Sequence, residues 1–382
     1  MSLLSGATAA GTRVERHGLD ALPPGMAAEW ADLVERSIDP NPYTGPGLVV
    51  AAARHLLSPV SLSLVTVRDP DGAMQVCLPV RARPFWRALP WPALTTRVHL
   101  YSLAGAPAVG RHAEGDSLAR ALTCLPDRRL VVFEWVREDS PLVPVIREAA
   151  ARSGRRLVVW ERFRRSGWSP PPGEAPGVSG HRRRRLARAR RELAAATGGE
   201  VRMVDRSGQP GALERFLRLE AAGWKGRAGT ALLRRPGHAG FLRDIPGLRL
   251  AALEAGGHPV AMVSGFSAGG QRFLFKIGWD PAYSRFSPGH LLIWELTRSG
   301  GWGDGPVDSC SASSDGWASS LLPGELPFTT LVLAPAGVTA AAVAAAAGAN
   351  RGVFGGEGAA GRGERIRPWF HPSLRWPDAT RR

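Results

Sequence analysis

A chain of 382 residues with 44% apolar content and 13 tryptophans has the means to bury two or three ordinary cores, which excludes an intrinsically disordered protein. The formal charge of +16 favours an anionic partner, whether a phosphorylated small molecule, a nucleic acid or an acidic membrane surface. The three cysteines, Cys77, Cys124 and Cys310, form an odd set without CxxC spacing, so neither a disulfide framework nor a zinc site is expected, and a reducing cytoplasm fits.

Residues 1–12 lack the charged and apolar blocks of a secretory signal and are expected to be a disordered N-terminus. A first α/β lobe is expected over 13–167. In it "SLSLVTV" and "QVCLPVRAR" flank the turn Asp69-Pro70-Asp71-Gly72 as a β-hairpin. A strand at Val98–Leu103, a helix over about 116–125 and the strand "RLVVFEWV" follow. Next come a helix from Pro141 to Ser153 capped by Ser140, and the strand "RLVVWERF". Residues 168–180 hold four prolines and three glycines, the composition of a linker.

A second lobe is expected over 181–335. It opens on "HRRRRLARARREL", seven arginines within residues 181–193, where Leu186, Ala189, Leu193 and Ala196 make one apolar stripe on a helix over 181–196. A strand (200–204), a helix (210–223) and a short helix (237–244) precede three strands (248–255, 258–267, 271–278). Gly256-Gly257 and Gly269-Gly270 separate those strands into an antiparallel meander. A helix (289–299), a strand near Val307 and the strand Phe328–Leu333 complete the lobe. The uncharged stretch from Leu326 to Asn350 reads as that strand followed by an alanine-rich helix (336–349), since Pro335 and Gly337 interrupt any membrane span. A flexible Gly/Arg-rich tail (350–382) ends the chain.

The unit "RFLFKIGWD", "PAYSRFSP", "GHLLIWEL" is a strand, a loop and a helix. A helix start exposes unpaired N–H groups and partial positive charge, a ready phosphate site; Arg285 adds a bidentate donor and Gly289 permits close approach. An ordinary strand–loop–helix with proline near its first turn is the bland alternative. On the strand, alternation sets Phe273, Phe275 and Ile277 on one face and Lys276, one of only two lysines, on the other with Arg272 and Leu274. "GWKGRAG" (223–229) brackets Trp224, Lys225 and Arg227 with glycines, as a loop over an anionic or amide substrate would. Trp224 in the core with solvated cations is the equal alternative. Carboxylates or imidazoles able to take a proton are Glu220, Asp280, Glu295, His290 and Asp308, with Glu220 and Asp308 foremost. No metal-ligand spacing, Walker loop or dinucleotide fingerprint is present.

"LEAAGWKGRAGTAL" (219–232) and "FLFKIGWDPAYSRFSPGHLLIWEL" (273–296) resemble the GNAT-type acetyltransferase domain of the CelD group, named for cellulose biosynthesis, which is similar to the Fem-type peptidyltransferases. The resemblance is strong over residues 180–335 and weak in the first half. It implies an α/β (α+β) fold, a mixed sheet flanked by helices with two GNAT-like lobes in tandem, and acyl-CoA (acetyl-CoA) as co-substrate without a metal. Arg285, Ser287, Gly289 and His290 would then hold the donor, and Trp224, Lys225, Lys276, Arg227, Asp280 and Tyr283 would face the acceptor. The phosphate loop departs from the family pattern, with Pro288 and His290 where glycine or alanine is usual. A Tyr-Lys pair common after the penultimate strand is replaced by residues 315–318, "DGWA".

The expected function is N-acyl transfer, by direct attack, to an amine of a sugar, lipid or envelope precursor. The expected location is cytoplasmic or at the inner face of the membrane, with no transmembrane segment. A Fem-type transferase using aminoacyl-tRNA, and a non-catalytic GNAT-like module binding nucleic acid or protein, remain open beside it. The arginine helix is correspondingly a solvated face, a face for an anionic substrate or a nucleic-acid arm.

Overall fold

A computed structural model of the chain describes residues 6–7, 11–57, 61–87, 89, 91–111, 113, 115–169, 178–311, 318–335 and 342–343. The expected tail, the residues 315–317, nearly all of the alanine-rich helix, the N-terminal stretch apart from 6–7 and 11–12, and linker residues 170–177 lie outside the described residues.

In chain order the elements are β1 (Gly6–Ala7), β2 (Arg13–Gly18), α1 (Met26–Glu35), α2 (Pro46–His55), β3 (Leu62–Arg68), β4 (Met74–Arg83), β5 (Ala93–Thr95), β6 (Ala108–Val109), α3 (Gly115–Thr123), β7 (Leu130–Arg137), α4 (Leu142–Arg152) and β8 (Arg156–Trp168). The second half supplies α5 (Gly180–Thr197), β9 (Val201–Asp205), α6 (Ala212–Ala222), α7 (Trp224–Arg227), α8 (His238–Arg243), β10 (Arg249–Ala255), β11 (His258–Ala268), β12 (Gln271–Trp279), α9 (Pro288–Arg298), β13 (Val307–Asp308) and β14 (Gly324–Ala334).

The strands form one mixed sheet in the order β1-β2-β3-β4-β5-β7-β14-β8-β13-β12-β11-β10-β9, with β6 beside β4. Its helix-covered faces are packed by Val, Leu and Phe side chains, as alternating strands of this composition require. Two pairs alone are parallel among the described strands, β5 with β7 and β12 with β13. Each lies across a helix, α3 in the first half and α9 in the second, so the two halves repeat one plan. The sheet does not stop at the linker: β14, from the second half, lies between β7 and β8 of the first, pairing with β8 from Arg156 to Gly167.

The expected strand at 98–103 is instead a buried turn, in which the Tyr101 amide donates to His99 Nδ1 and Ser102 N bonds the His99 carbonyl. Its side chains satisfy one another locally, and the parallel partner of β7 is the shorter β5. Leu186 and Leu193 of the arginine stripe are buried with Phe286, Leu291 and Leu292, so α5 docks through the narrow apolar edge. No helix among the described residues is long and apolar enough to cross a membrane.

Candidate active site

The parallel pair β12–β13 is joined at two positions only, Arg272 with Val307 and Phe273 with Asp308. β13 ends at Asp308 while β12 runs on to Trp279, so past Phe273 that side of β12 has no strand partner among the described residues, and the wedge so left is closed at Asp308 and open at the Trp279 end. A bulge breaks the alternation of β12. Ser264 faces Lys276 and Gly265 faces Leu274, so Phe275 is an extra residue on that strand. Lys276 therefore does not keep company with Leu274 as the alternation predicts. Phe275 and Lys276 both lie by Tyr101, whose ring centroid is 5.4 Å from that of Phe275 and 5.1 Å from Lys276 Nζ, while Leu274 and Ile277 share the opposite cluster.

At the open end, Asp280 caps the turn Pro281–Phe286 by accepting from Ala282 N at 2.9 Å. Tyr283 packs half-buried on the α9 side, and exposed Arg285 lays its guanidinium 4.6 Å from the Phe286 ring. Ser287 takes a left-handed conformation (φ 51°) and α9 begins without a side-chain cap and without a carboxylate in its first turn. Gly289 has a packing role of its own, because a Cβ there would come within 3.2 Å of the Ile277 side chain and 3.5 Å of Trp279. The first turn of α5 completes this end. Burial, and then the charges of Arg182 and Arg185, hold His290 down to about 4, so it is neutral at physiological pH. Arg182 donates to Ser320 Oγ at 2.8 Å, and no carboxylate of the described residues pairs with Arg182–Arg185. Farther along α5, Arg188 takes Glu192.

Along β12, α6 presses its last turn onto Gly278, whose Cβ would lie 2.5 Å from Glu220 N. This close approach puts Glu220, Trp224, Lys225, Ile277 and Trp279 around one small pocket. Glu220 is 1% exposed; Oε2 accepts from Leu232 N at 2.9 Å, while Oε1 has no hydrogen bond and stands 3.6 Å from Lys225 Nζ. Lys225 also donates to the Ile277 carbonyl at 2.7 Å. Burial pulls its ammonium below the ordinary lysine value, with Glu220 opposing. Burial and the charges of Lys225 and Arg235 push Lys276 well down too. Both lysines of the chain thus gather about one carboxylate. Arg227 is exposed and stands outside the pocket.

Asp308 sits at the closed end, 6% exposed. Oδ2 accepts from fully buried Arg165 at 2.5 Å and Oδ1 from Cys310 N at 2.8 Å, so both oxygens are committed. Cys310 is itself buried and takes the Tyr43 hydroxyl at 3.2 Å. Two residues near the lysines escaped the sequence reading: Tyr101 donates to His238 Nδ1 at 2.5 Å, and burial holds His238 down to about 4 so that its nitrogen is free to accept. Tyr101 comes from the first half, and only its rarity, one of three tyrosines, marked it. Among the described residues no group of three or more His, Cys, Asp and Glu could hold a metal.

Residues 180–300 match the family model described as an acetyltransferase (GNAT) domain. No curated protein matches the chain. Among solved structures the chain is similar to FemX, with TM-score 0.55, 10% identity and coverage of 83% of this chain and 96% of that one. It is also similar to a conserved protein of unknown function from Bacteroides thetaiotaomicron VPI-5482, with TM-score 0.53, 10% identity and coverage of 81% and 97%. L-PGS from Bacillus licheniformis aligns with TM-score 0.48, 10% identity and coverage of 85% and 96%. At 10% identity the likeness to FemX and to the Bacteroides protein is one of fold alone, a mixed sheet flanked by helices, and the GNAT match covers residues 180–300.

Proposed function

We propose that the chain is an N-acyltransferase that binds acyl-CoA with its pyrophosphate at the start of α9 and passes the acyl group to an amine along the wedge between β12 and β13. The observation that carries this reading is the open end of the wedge. A helix start without its own carboxylate or side-chain cap meets three cationic side chains, Arg182, Arg185 and Arg285, that no carboxylate of the described residues pairs with, beside a strand edge that can lie along an extended thiol arm. Acetyl-CoA is the proposed donor and a sugar, lipid or envelope precursor the proposed acceptor, as in the CelD-like reading.

Attack by an amine on a thioester needs a proton acceptor. Glu220 and Asp308 flank the wedge at its open and closed ends, each beside a cation, and the amide substitution of each decides between them. Lys276, Trp224 and Lys225 line the acceptor side in this reading, and Asp280 and Tyr283 shape the phosphate loop. No cysteine–histidine pair is in place among the described residues, which supports direct attack. A second reading, an aminoacyl-tRNA donor, draws on the same arginines: exposed Arg183, Arg184 and Arg185 continue the basic surface past the helix start.

The test is thermal stabilisation by acetyl-CoA, longer acyl-CoAs and free CoA. A ligand at 100 times its dissociation constant adds about 2.7 kcal/mol, and no shift with any of them overturns the acyl-CoA reading. Saturable binding of charged tRNA, steeply salt-dependent, would establish the second reading in its place.

A further inference from the structure

A second chamber lies at the closed end of the wedge, bounded by Asp39, Trp135, Arg137 and Arg165 from the first half and Phe273 and Asp308 from the second. Its free space admits about one water-sized group. The hairpin between β11 and β12 closes it: Gly269 N donates to Glu35 at 2.8 Å, and Gly269 packs so tightly on Pro40 that a Cβ would lie 2.2 Å from its ring. The lining carries two guanidiniums and two carboxylates, but the two guanidiniums are not shared evenly between them. Arg137 is spent on Asp139 through two bonds of 2.8 and 2.7 Å, and Arg165 on Asp308. Asp39 is left over. Its Oδ2 is buried without a hydrogen-bond partner, and no cation among the described residues forms an ion pair with it.

Two carboxylate oxygens of the described residues are buried and unbonded, Glu220 Oε1 and Asp39 Oδ2, and each lines one of the two pockets on the wedge. Glu220 has Lys225 to answer it. Asp39 has only the Ser140 hydroxyl and the charge of Arg137, which is bonded elsewhere, and a buried carboxylate oxygen left without a hydrogen bond costs free energy that an incoming N–H donor would recover. Trp135, on the rim, is held in a left-handed conformation (φ 57°) under the Arg97 guanidinium, 3.5 Å from its ring. Strain of this kind persists only where the surrounding structure over-determines it.

We infer that the chamber is a binding site for a primary ammonium group, received by Asp39 Oδ2 at the closed end of the wedge. The inference deepens the acyl-transfer reading and rests on it for the ligand's identity: the ammonium is that of the acceptor, which enters between the halves while the donor's phosphates hold the opposite end. The bound group donates N–H to Oδ2 and its nitrogen takes the water-sized space, holding the acceptor before its amine loses a proton and moves to the donor. Burial, aided by Asp139 and Asp308 and opposed by Ser140 and Arg137, makes Asp39 hold a proton more tightly than an ordinary aspartate, so a bound ammonium would have to displace that proton and hold the carboxylate ionised.

The test is thermal stability of the whole chain in methylammonium chloride, tetramethylammonium chloride and sodium chloride at equal ionic strength. Wild type is expected to rise by about 1–2 °C in methylammonium alone, since the quaternary ion has the charge but no N–H and no room. Asp39→Asn should lose that difference while melting no lower than wild type in sodium chloride, because it removes an unpaired buried charge. Ala104 also lines the chamber, and Ala104→Val, which narrows it and keeps the carboxylate, should lose it too. An equal response of wild type to all three salts, or a methylammonium shift surviving in either variant, overturns the site. Acetyl-CoA in the same plates separates the readings: a methylammonium shift without an acetyl-CoA shift leaves the ammonium site standing and removes the acyl-CoA donor.

Discussion

The helices α3 and α9 occupy corresponding places in the two halves, each leading to a strand that lies parallel to an earlier one, yet their first turns carry opposite charge. In α3, Asp116 stands in the first turn, held by Arg120 at 2.8 Å and Arg152 at 2.9 Å, and the Glu148 carboxylate lies against Gly115. The partial positive charge of that helix start is met from within. In α9 the first turn has no carboxylate, and what gathers around it is Arg182, Arg185 and neutral His290. One plan therefore has two electrostatic states: the α3 start is neutralised from within, and the α9 start, left unneutralised among the described residues, is the one suited to the proposed anion. On the proposed acyl-transfer reading, the difference favours donor binding in the second half, with the first half walling the acceptor side.

The largest effects should come from the carboxylates along the wedge. Whichever of Glu220→Gln and Asp308→Asn removes the proton acceptor should lower turnover by roughly 10²–10⁴-fold with donor affinity kept. Asp308→Asn should in addition cost about 3–5 kcal/mol of stability in denaturant titrations, since it strands fully buried Arg165. Giving α9 the charge of α3 is the next test. His290→Asp should raise the acetyl-CoA dissociation constant by at least about tenfold, by occupying Arg182 and Arg185, and keep or slightly raise thermal stability through the helix dipole. Unchanged affinity would break the comparison. Arg285→Ala should weaken donor binding by about 1.5–3 kcal/mol in calorimetry.

Replacing Arg182, Arg183, Arg184 and Arg185 by Gln should weaken donor binding several-fold and flatten its salt dependence. It would leave the docked stripe through Leu186 and Leu193 intact. The smallest effect belongs to the first half. Asp116→Asn with Glu148→Gln should change acetyl-CoA affinity by less than about twofold, because baring α3 supplies no α5 beside it. Acid sharpens the contrast as well. His290, held near 4 against 6.5 for a free histidine, contributes stability that is complete above pH 6.5 and lost as pH falls toward 4, since the unfolded chain binds that proton first. A donor-affinity step near pH 6.5 would show that burial and the two arginines do not hold it neutral.

Most elements were legible, because hydrophobic period and glycine punctuation mark them: the meander β10–β12, the helix α5 and the hairpin β3–β4 stand where the pattern puts them. Phe275 shows the limit. A bulge is a property of the pairing between two strands, and period alone cannot register the extra residue that turns Lys276 toward Tyr101. The gathering of Glu220, Trp224 and Lys225 was legible as a nearby cluster in sequence. Asp39 was not, since its significance arises from what fails to pair with it once residues 39, 137, 165 and 308 meet. The position of α5 beside α9 lay likewise outside the pattern, which gave the helix its docking edge but no partner.

The insertion of β14 between β7 and β8 has a bearing on how the chain is made. Both neighbours leave the ribosome early, and the strand that fills the gap follows β8 by roughly 160 residues, so at ordinary synthesis rates of about 5–20 residues per second the gap stays open for some 10–30 seconds. During that interval the unpaired edges of β7, rich in Val and Leu, and of the longer, more charged β8 face solvent, templates for pairing with another nascent chain. The first half is thus a client for chaperones until its last strand arrives, and a fragment ending before Gly324 should accumulate as aggregate where the full chain does not.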